Sequence, residues 1–170
     1  MKNLRRAATA LMVMPLAIAG LVASSGAASA SATGSAGNEA TASVVVGPGQ
    51  RGHTCSGYTY ADSTHTRYWQ TCAWVDLGHV FFTVEFGNSS SFDWNPWLTY
   101  EDYYSSGTAM TCVDGHEDAF LVAAHSTRGT APQHCWIPRA RGAYASIGKV
   151  WYNSSQTSAV EQHSPTLQVL

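Results

Sequence analysis

The chain predicts an all-β domain, an antiparallel β-sandwich or small barrel held by two disulfides, with little helix beyond its first thirty residues. Three observations carry this expectation. Apolar residues recur with period two rather than 3.6: Val80, Phe82, Val84 and Phe86 alternate with His79, Phe81, Thr83 and Glu85, which gives one wholly apolar face and one mixed face. Short β-rich segments follow one another at roughly ten-residue spacing, separated by polar turns. Four cysteines, an even number, stand in a chain whose start reads as an export signal.

That start is tripartite. Lys2, Arg5 and Arg6 precede the apolar run Ala7–Val22, and Ala28-Ser29-Ala30 supplies the small residues a signal peptidase reads. The run is about sixteen residues, broken by Pro15, against the roughly 20 that a membrane span requires. Ala7-Ala8-Thr9 after Arg5-Arg6 does not suit the twin-arginine route. Residues 1–30 are therefore expected to be a signal peptide for general export, and the mature chain to be secreted and extracellular, from a bacterial source. Residues 31–43, nearly all Ala, Ser, Gly and Thr, bury too little surface to fold and read as a disordered lead. Residues 44–170 are expected to form a single β domain.

Along that domain Val44-Val45-Val46 starts a strand that Gly47-Pro48-Gly49 ends. Thr54–Tyr60 is the next candidate. Tyr68–Val75 and His79–Phe86 flank Asp76-Leu77-Gly78, whose turn chemistry predicts a hairpin. Further strands are expected at Trp97–Tyr104, Ala109–Val113, Ala119–His125, His134–Ile137, Ala143–Tyr152 and Thr166–Val169. Turns are expected at Ser105-Ser106-Gly107, Asp114-Gly115 and Asn153-Ser154-Ser155. The sequons Asn88-Ser89-Ser90 and Asn153-Ser154-Ser155 are read as turns, not as glycosylation sites.

Cys55, Cys72, Cys112 and Cys135 allow three pairings. The sequential one, Cys55–Cys72 and Cys112–Cys135, joins segments close along the chain, each loop worth about 3 kcal/mol in the chain-entropy account. Close C-x-x-C pairs, which a zinc site would use, are absent. Without residues 1–30 the chain keeps six Lys and Arg against eleven Asp and Glu, and the six are scattered. Nucleic acid and anionic membranes are excluded as expected partners, since both demand clustered cations.

The densest candidate surface runs from Phe92 through Asp93, Trp94 and Trp97 to Tyr100, Glu101, Asp102, Tyr103 and Tyr104. Aromatic rings offer flat apolar area at low entropy cost, and carboxylates accept hydrogen bonds from hydroxyls. The competing reading tucks Trp94 and Trp97 into the end of the sandwich. Asp114-Gly115-His116-Glu117-Asp118 reads as an acidic hairpin tip whose spacing departs from the EF-hand loop; no metal and no cofactor is expected. His79 is placed on an outward strand face, and His53, His65, His125, His134 and His163 on the surface. Neither H-E-x-x-H nor G-x-S-x-G occurs.

Two short disulfide loops in a secreted β protein, together with Arg67-Tyr68-Trp69, resemble the microbial α-amylase inhibitors of the tendamistat type, whose inhibitory triplet holds the same residue types. Here the order differs, the triplet stands at another distance from its cysteine, and the Cys72 to Cys112 segment is far longer, so no family is assigned. The likeness implies an inhibitor, with Arg67, Tyr68 and Trp69 as a second surface. The expected function is thus a non-catalytic binding protein for an extracellular protein or polysaccharide. The alternative is a small secreted hydrolase using Glu85, Glu101 or Asp102, or an assembled His site.

Overall fold

A computed structural model describes residues 43–170. The expected signal peptide at 1–30 and the expected lead at 31–43, apart from Ser43, lie outside the described residues. Within them the chain forms twelve strands: β1 (Val44–Val46), β2 (Gly52–Cys55), β3 (Thr59–Tyr60), β4 (Arg67–Val75), β5 (His79–Asn88), β6 (Leu98–Ser105), β7 (Thr108–Asp118), β8 (Ser126–Gly129), β9 (Trp136–Pro138), β10 (Gly142–Trp151), β11 (Val160–His163) and β12 (Leu167–Val169). The only helical element among the described residues is a single 3₁₀ turn at Pro132–His134, and no described helix is long and apolar enough to cross a membrane.

The strands make two six-stranded sheets. The first has the order β1-β12-β10-β6-β7, with β11 also paired to β10; the second has the order β2-β4-β5-β8, with β3 on β4 and β9 on β5. All pairs are antiparallel except β1 with β12. The expected hairpin is present: β4 and β5 pair from Arg67↔Asn88 to Val75↔Val80. Its turn is set by Asp76, whose Oδ1 accepts from the amides of Gly78 and His79, both at 2.7 Å. Ser106 and Gly107 take φ of 49° and 86° between Ser105 and Thr108, the left-handed pair of a two-residue hairpin turn.

Strand alternation packs the sheets face to face. Val80, Phe82, Val84 and Phe86 of β5 are all at most 1 % exposed, as their period predicts. Opposite them Phe82 stacks on Tyr103 of β6 with ring centroids 4.4 Å apart. The core divides into two clusters, one around Val75, Phe82, Tyr144 and Leu167, the other around Trp69, Phe86, Trp94, Phe120 and Val150. Between them the sheets touch through polar and small residues: Thr71 Oγ1 donates to Ser146 Oγ at 2.8 Å. A Cβ on Gly148 would stand 2.9 Å from Val84 Cγ2 and 3.0 Å from Thr71 Cβ.

Both disulfides have the sequential pairing. Cys55 and Cys72 are directly opposed in the β2–β4 ladder, while Cys112 on β7 reaches Cys135 just ahead of β9, tying one sheet to the other. Several expected boundaries are corrected. Thr54–Tyr60 is interrupted between β2 and β3. Ala119–His125 is not a strand: Ala119 and His125 adopt left-handed φ of 49° and 54°, leaving only the bridge Trp94↔Val122. Asp114-Gly115 is not a hairpin tip. Asp102 pairs with Thr111 and Tyr100 with His116, so Cys112–Gly115 bulge out of a longer β7 opposite Glu101. His134–Ile137 splits between the 3₁₀ turn and β9. Strands β8 (Ser-Thr-Arg-Gly) and β11 (Val-Glu-Gln-His) are mostly polar and carry no apolar alternation that would announce them.

At the waist the sheet separation leaves no room for a methyl group. Gly148→Ala is expected to lower stability by about 1–3 kcal/mol through overpacking, read as a fall in the urea midpoint with unchanged slope.

Candidate functional site

On β4, Trp69, Thr71, Ala73 and Val75 point inward and are fully or almost fully buried, so Tyr68, Gln70, Cys72 and Trp74 point out. Their ladder partners on β5 are Gly87, Glu85, Thr83 and Phe81. The outer face of this sheet therefore carries two aromatic groups with a polar pair between them. At one end Tyr68 packs against Tyr58 at 4.6 Å and Tyr60 at 6.2 Å between ring centroids. A Cβ at Gly87 would collide with the Tyr68 ring, so that ring lies flat across the glycine. At the other end Trp74 stacks on Phe81 at 4.1 Å, and Trp136 of β9 meets His79 edge-on at 4.8 Å. Midway, Gln70 Nε2 donates to Glu85 Oε2 at 3.0 Å.

Cavities join these groups into one trough. A depression of about 300 Å³ between Tyr58, Tyr68, Gln70 and Glu85 shares Glu85 with one of about 640 Å³ bounded by His53, Trp74, Asp76 and the Cys55–Cys72 disulfide. From Tyr68 to Trp74 the trough spans roughly 20 Å at the usual strand rise. Tyr58, Tyr60 and Trp136 are 56 %, 44 % and 45 % exposed, a large exposure for rings grouped on one face.

The surface expected at Asp93–Tyr104 is divided. Asp93 and Trp97 are exposed, with Asp93 Oδ1 accepting from the Ala124 amide at 2.9 Å. Trp94 is buried beside Phe86 and Tyr152, its backbone bridged to Val122; it belongs to the core rather than to a surface. Asn88 closes this end from within, its buried amide donating to the carbonyls of Phe92, Val122 and Ala123. Along β6 the alternation sends Tyr100, Asp102 and Tyr104 outward and Glu101 and Tyr103 inward. The outward set forms a second, smaller patch: Tyr100 stacks on His116 and meets Trp151 edge-on, and Asp102 pairs with Lys149 at 2.8 Å. That carboxylate raises the Lys149 pKa.

The second expected surface is corrected in the same way. Three consecutive strand residues cannot share a face, and of Arg67-Tyr68-Trp69 only Tyr68 lies on the trough. Trp69 is fully buried, its Nε1 donating to Tyr152 Oη at 2.9 Å. Arg67 is half-buried and reaches the Asp93 carbonyl. Sequence reasoning missed Tyr58, Tyr60, Gln70, Trp74, Phe81 and Trp136; a two-residue period applied to the β-rich segment Tyr68–Val75 would have placed Gln70 and Trp74 outward with Tyr68. His53, His65, His125 and His163 are exposed as expected. His134 is instead half-buried, with Nδ1 3.3 Å from Glu117 Oε1.

The three acids considered for hydrolysis stand in three different layers: Glu85 on the trough, Asp102 on the opposite outer face, and Glu101 between the sheets. Glu101 is 1 % exposed and neither carboxyl oxygen makes a well-aligned hydrogen bond. Burial lifts its pKa from the ordinary 4.5 to about 7; the Glu117 charge adds to this, and the Thr130 hydroxyl and Val84 amide offset part of it. Sealed from solvent, it has no access to a substrate.

The raised pKa fixes the sign of a pH effect. Below the unfolded value both states hold the proton and nothing is lost. As pH rises toward 7 the unfolded chain releases it first, and above 7 the penalty is complete at about 3 kcal/mol. Glu101→Gln removes this dependence. The stability of the variant relative to the parent is expected to rise by about 2–3 kcal/mol between pH 4.5 and pH 8, measured by denaturant unfolding at both; a constant difference would show that Glu101 ionises freely.

No protein-family model matches the chain, and no curated protein matches it either.

Proposed function

We propose that this is a secreted, non-catalytic binding protein, and that its ligand is a polysaccharide lying along the trough on the outer face of β4 and β5. The observation that carries the reading is the spacing of two aromatic groups, Tyr58–Tyr60–Tyr68 and Trp74–Phe81–Trp136, on either side of Gln70 and Glu85. Sugar rings present apolar faces and equatorial hydroxyls together. Aromatic rings cover the faces while an amide and a carboxylate exchange hydrogen bonds with the hydroxyls. An elongated surface trough admits a chain of repeating units, where an enclosed pocket would admit only a chain end.

Rigidity supports the same reading. The Cys55–Cys72 disulfide lies under the centre of the trough, and Tyr68, Gln70, Trp74, Phe81 and Glu85 stand on the two longest strands of their sheet, so little of their ordering entropy is lost on binding. Export through the signal at residues 1–30 is consistent with two disulfides, which persist in oxidising compartments. The separate placement of Glu85, Glu101 and Asp102 favours binding over hydrolysis, since a two-carboxylate mechanism needs its acids within about 10 Å across one cleft.

Purified protein incubated with a panel of insoluble polysaccharides is expected to be retained on at least one of them. Trp74→Ala and Tyr58→Ala should each weaken that retention by about tenfold or more, the range of interface hot spots, with unchanged melting temperature. Tyr100→Ala, on the other outer face, should leave it intact. Retention unaffected by both trough variants would remove the trough as the site. Capture of one secreted protein without any polysaccharide would replace the ligand class, and release of soluble sugar would restore the hydrolase reading.

A further inference from the structure

Strand β7 is the longest edge strand of either sheet among the described residues. The other edges are short: three residues in β1, four in β2, two in β3, four in β8, three in β9 and four in β11. β7 has eleven, ends the strand order of its sheet, and no described strand pairs with its outer side. Open edges are ordinarily guarded by lysine, proline or a bulge. The half of β7 from Thr108 to Thr111 has none of these: it is uncharged, exposed throughout, and Met110 is 42 % exposed. The bulge and the acids Asp114, Glu117 and Asp118 come only afterwards.

We infer that two copies of this chain pair through this edge, β7 against β7, antiparallel and centred on Met110. The turn decides which groups are free. In a two-residue hairpin the flanking residues Ser105 and Thr108 exchange backbone hydrogen bonds, so Thr108 and Met110 direct their N–H and C=O toward β6. Ala109 and Thr111 direct theirs outward. A two-fold axis perpendicular to the sheet, passing by Met110, sets Ala109 of each copy opposite Thr111 of the other, and these are the residues with free donors and acceptors. Met110 then meets its own symmetry mate at a non-hydrogen-bonded position, where side chains approach most closely.

Charge selects the second copy and its direction. Antiparallel pairing about Met110 places only Thr, Ala, Met and Cys opposite one another and carries the two acidic halves to opposite ends. In-register parallel pairing would set Asp114, Glu117 and Asp118 against themselves, which is destabilising. The same axis keeps both outer faces of the β4–β5 sheets on one side, so a dimer presents two troughs side by side.

The test is sedimentation equilibrium of the secreted, disulfide-intact protein over a wide concentration range. The expected result is a monomer–dimer equilibrium that Met110→Lys weakens by roughly tenfold or more, because two ammonium groups then face each other on the axis. Met110→Cys should link to itself under oxidation, its Cα atoms lying about 4.5 Å apart in this register. Ala109→Cys, which faces Thr111 of the other copy and not itself, should not. Thermal melts of each variant confirm folding, and peptide mass mapping confirms that the Cys55–Cys72 and Cys112–Cys135 bonds persist. A monomer at every concentration, a dimer indifferent to Met110→Lys, or cross-linking at position 109 but not 110 would overturn the inference.

Discussion

The hydrogen bond between Thr71 and Ser146 is the contact on which the rest of the sandwich depends. Both side chains are fully buried and come from opposite sheets. An unpaired buried hydroxyl costs about 1–3 kcal/mol, more than the net gain from pairing it. A slip of one sheet over the other would orphan the Ser146 hydroxyl and leave Thr71 Oγ1 only its longer bond to the Thr83 carbonyl at 3.4 Å. Neighbouring polar groups reinforce the setting: Ser146 N donates to Ser164 Oγ, and Thr71 N to Ser56 Oγ, whose hydroxyl donates to Gln162. Gly148, which faces Glu101 in the β6–β10 ladder, lets the sheets close to this distance. The waist thus explains both the division of the core and the buried acid beside it.

With the sheets locked, the outer faces become fixed platforms. The aromatic groups of the trough need no induced arrangement: Tyr68 is held over Gly87, Trp74 is held by Phe81, and Gln70 is already oriented by Glu85. Loops are restrained by similar means. Arg139 donates to the carbonyls of Gly47, Gln50 and Asp76 at 2.6–2.7 Å, joining the Gly47–Gln50 turn to the Asp76 turn at one end. Asn88 does comparable work at the other.

Much of the architecture was legible in the sequence because it rests on local signals. Alternation in His79–Phe86, turn chemistry at Asp76-Leu77-Gly78 and Ser106-Gly107, and cysteine spacing each pointed to what the structure contains. What escaped were segments whose conformation is imposed from outside. Phe120 and Val122 are as apolar as strand residues, yet they are held in a loop by Trp94 and by the amide of Asn88. The site was less legible for a different reason. Aromatic residues populate both faces of β4, with Trp69 inside and Trp74 outside, so composition alone could not say which rings are core. Parity could: Glu101 and Tyr103 cannot share a surface with Tyr100, Asp102 and Tyr104 once β6 is a strand. The triplet Arg67-Tyr68-Trp69 fails by the same argument.

The pairing of β1 with β12 is the single parallel ladder among the described residues, aligned from Val44↔Leu167 to Val46↔Val169 and extended by bonds from Val44 N to Thr166 and from Leu170 N to Val46. Because the strands run the same way, tension applied ahead of Val44 and beyond Val169 pulls them past each other lengthwise. The bonds of that ladder then bear the load together rather than opening one after another.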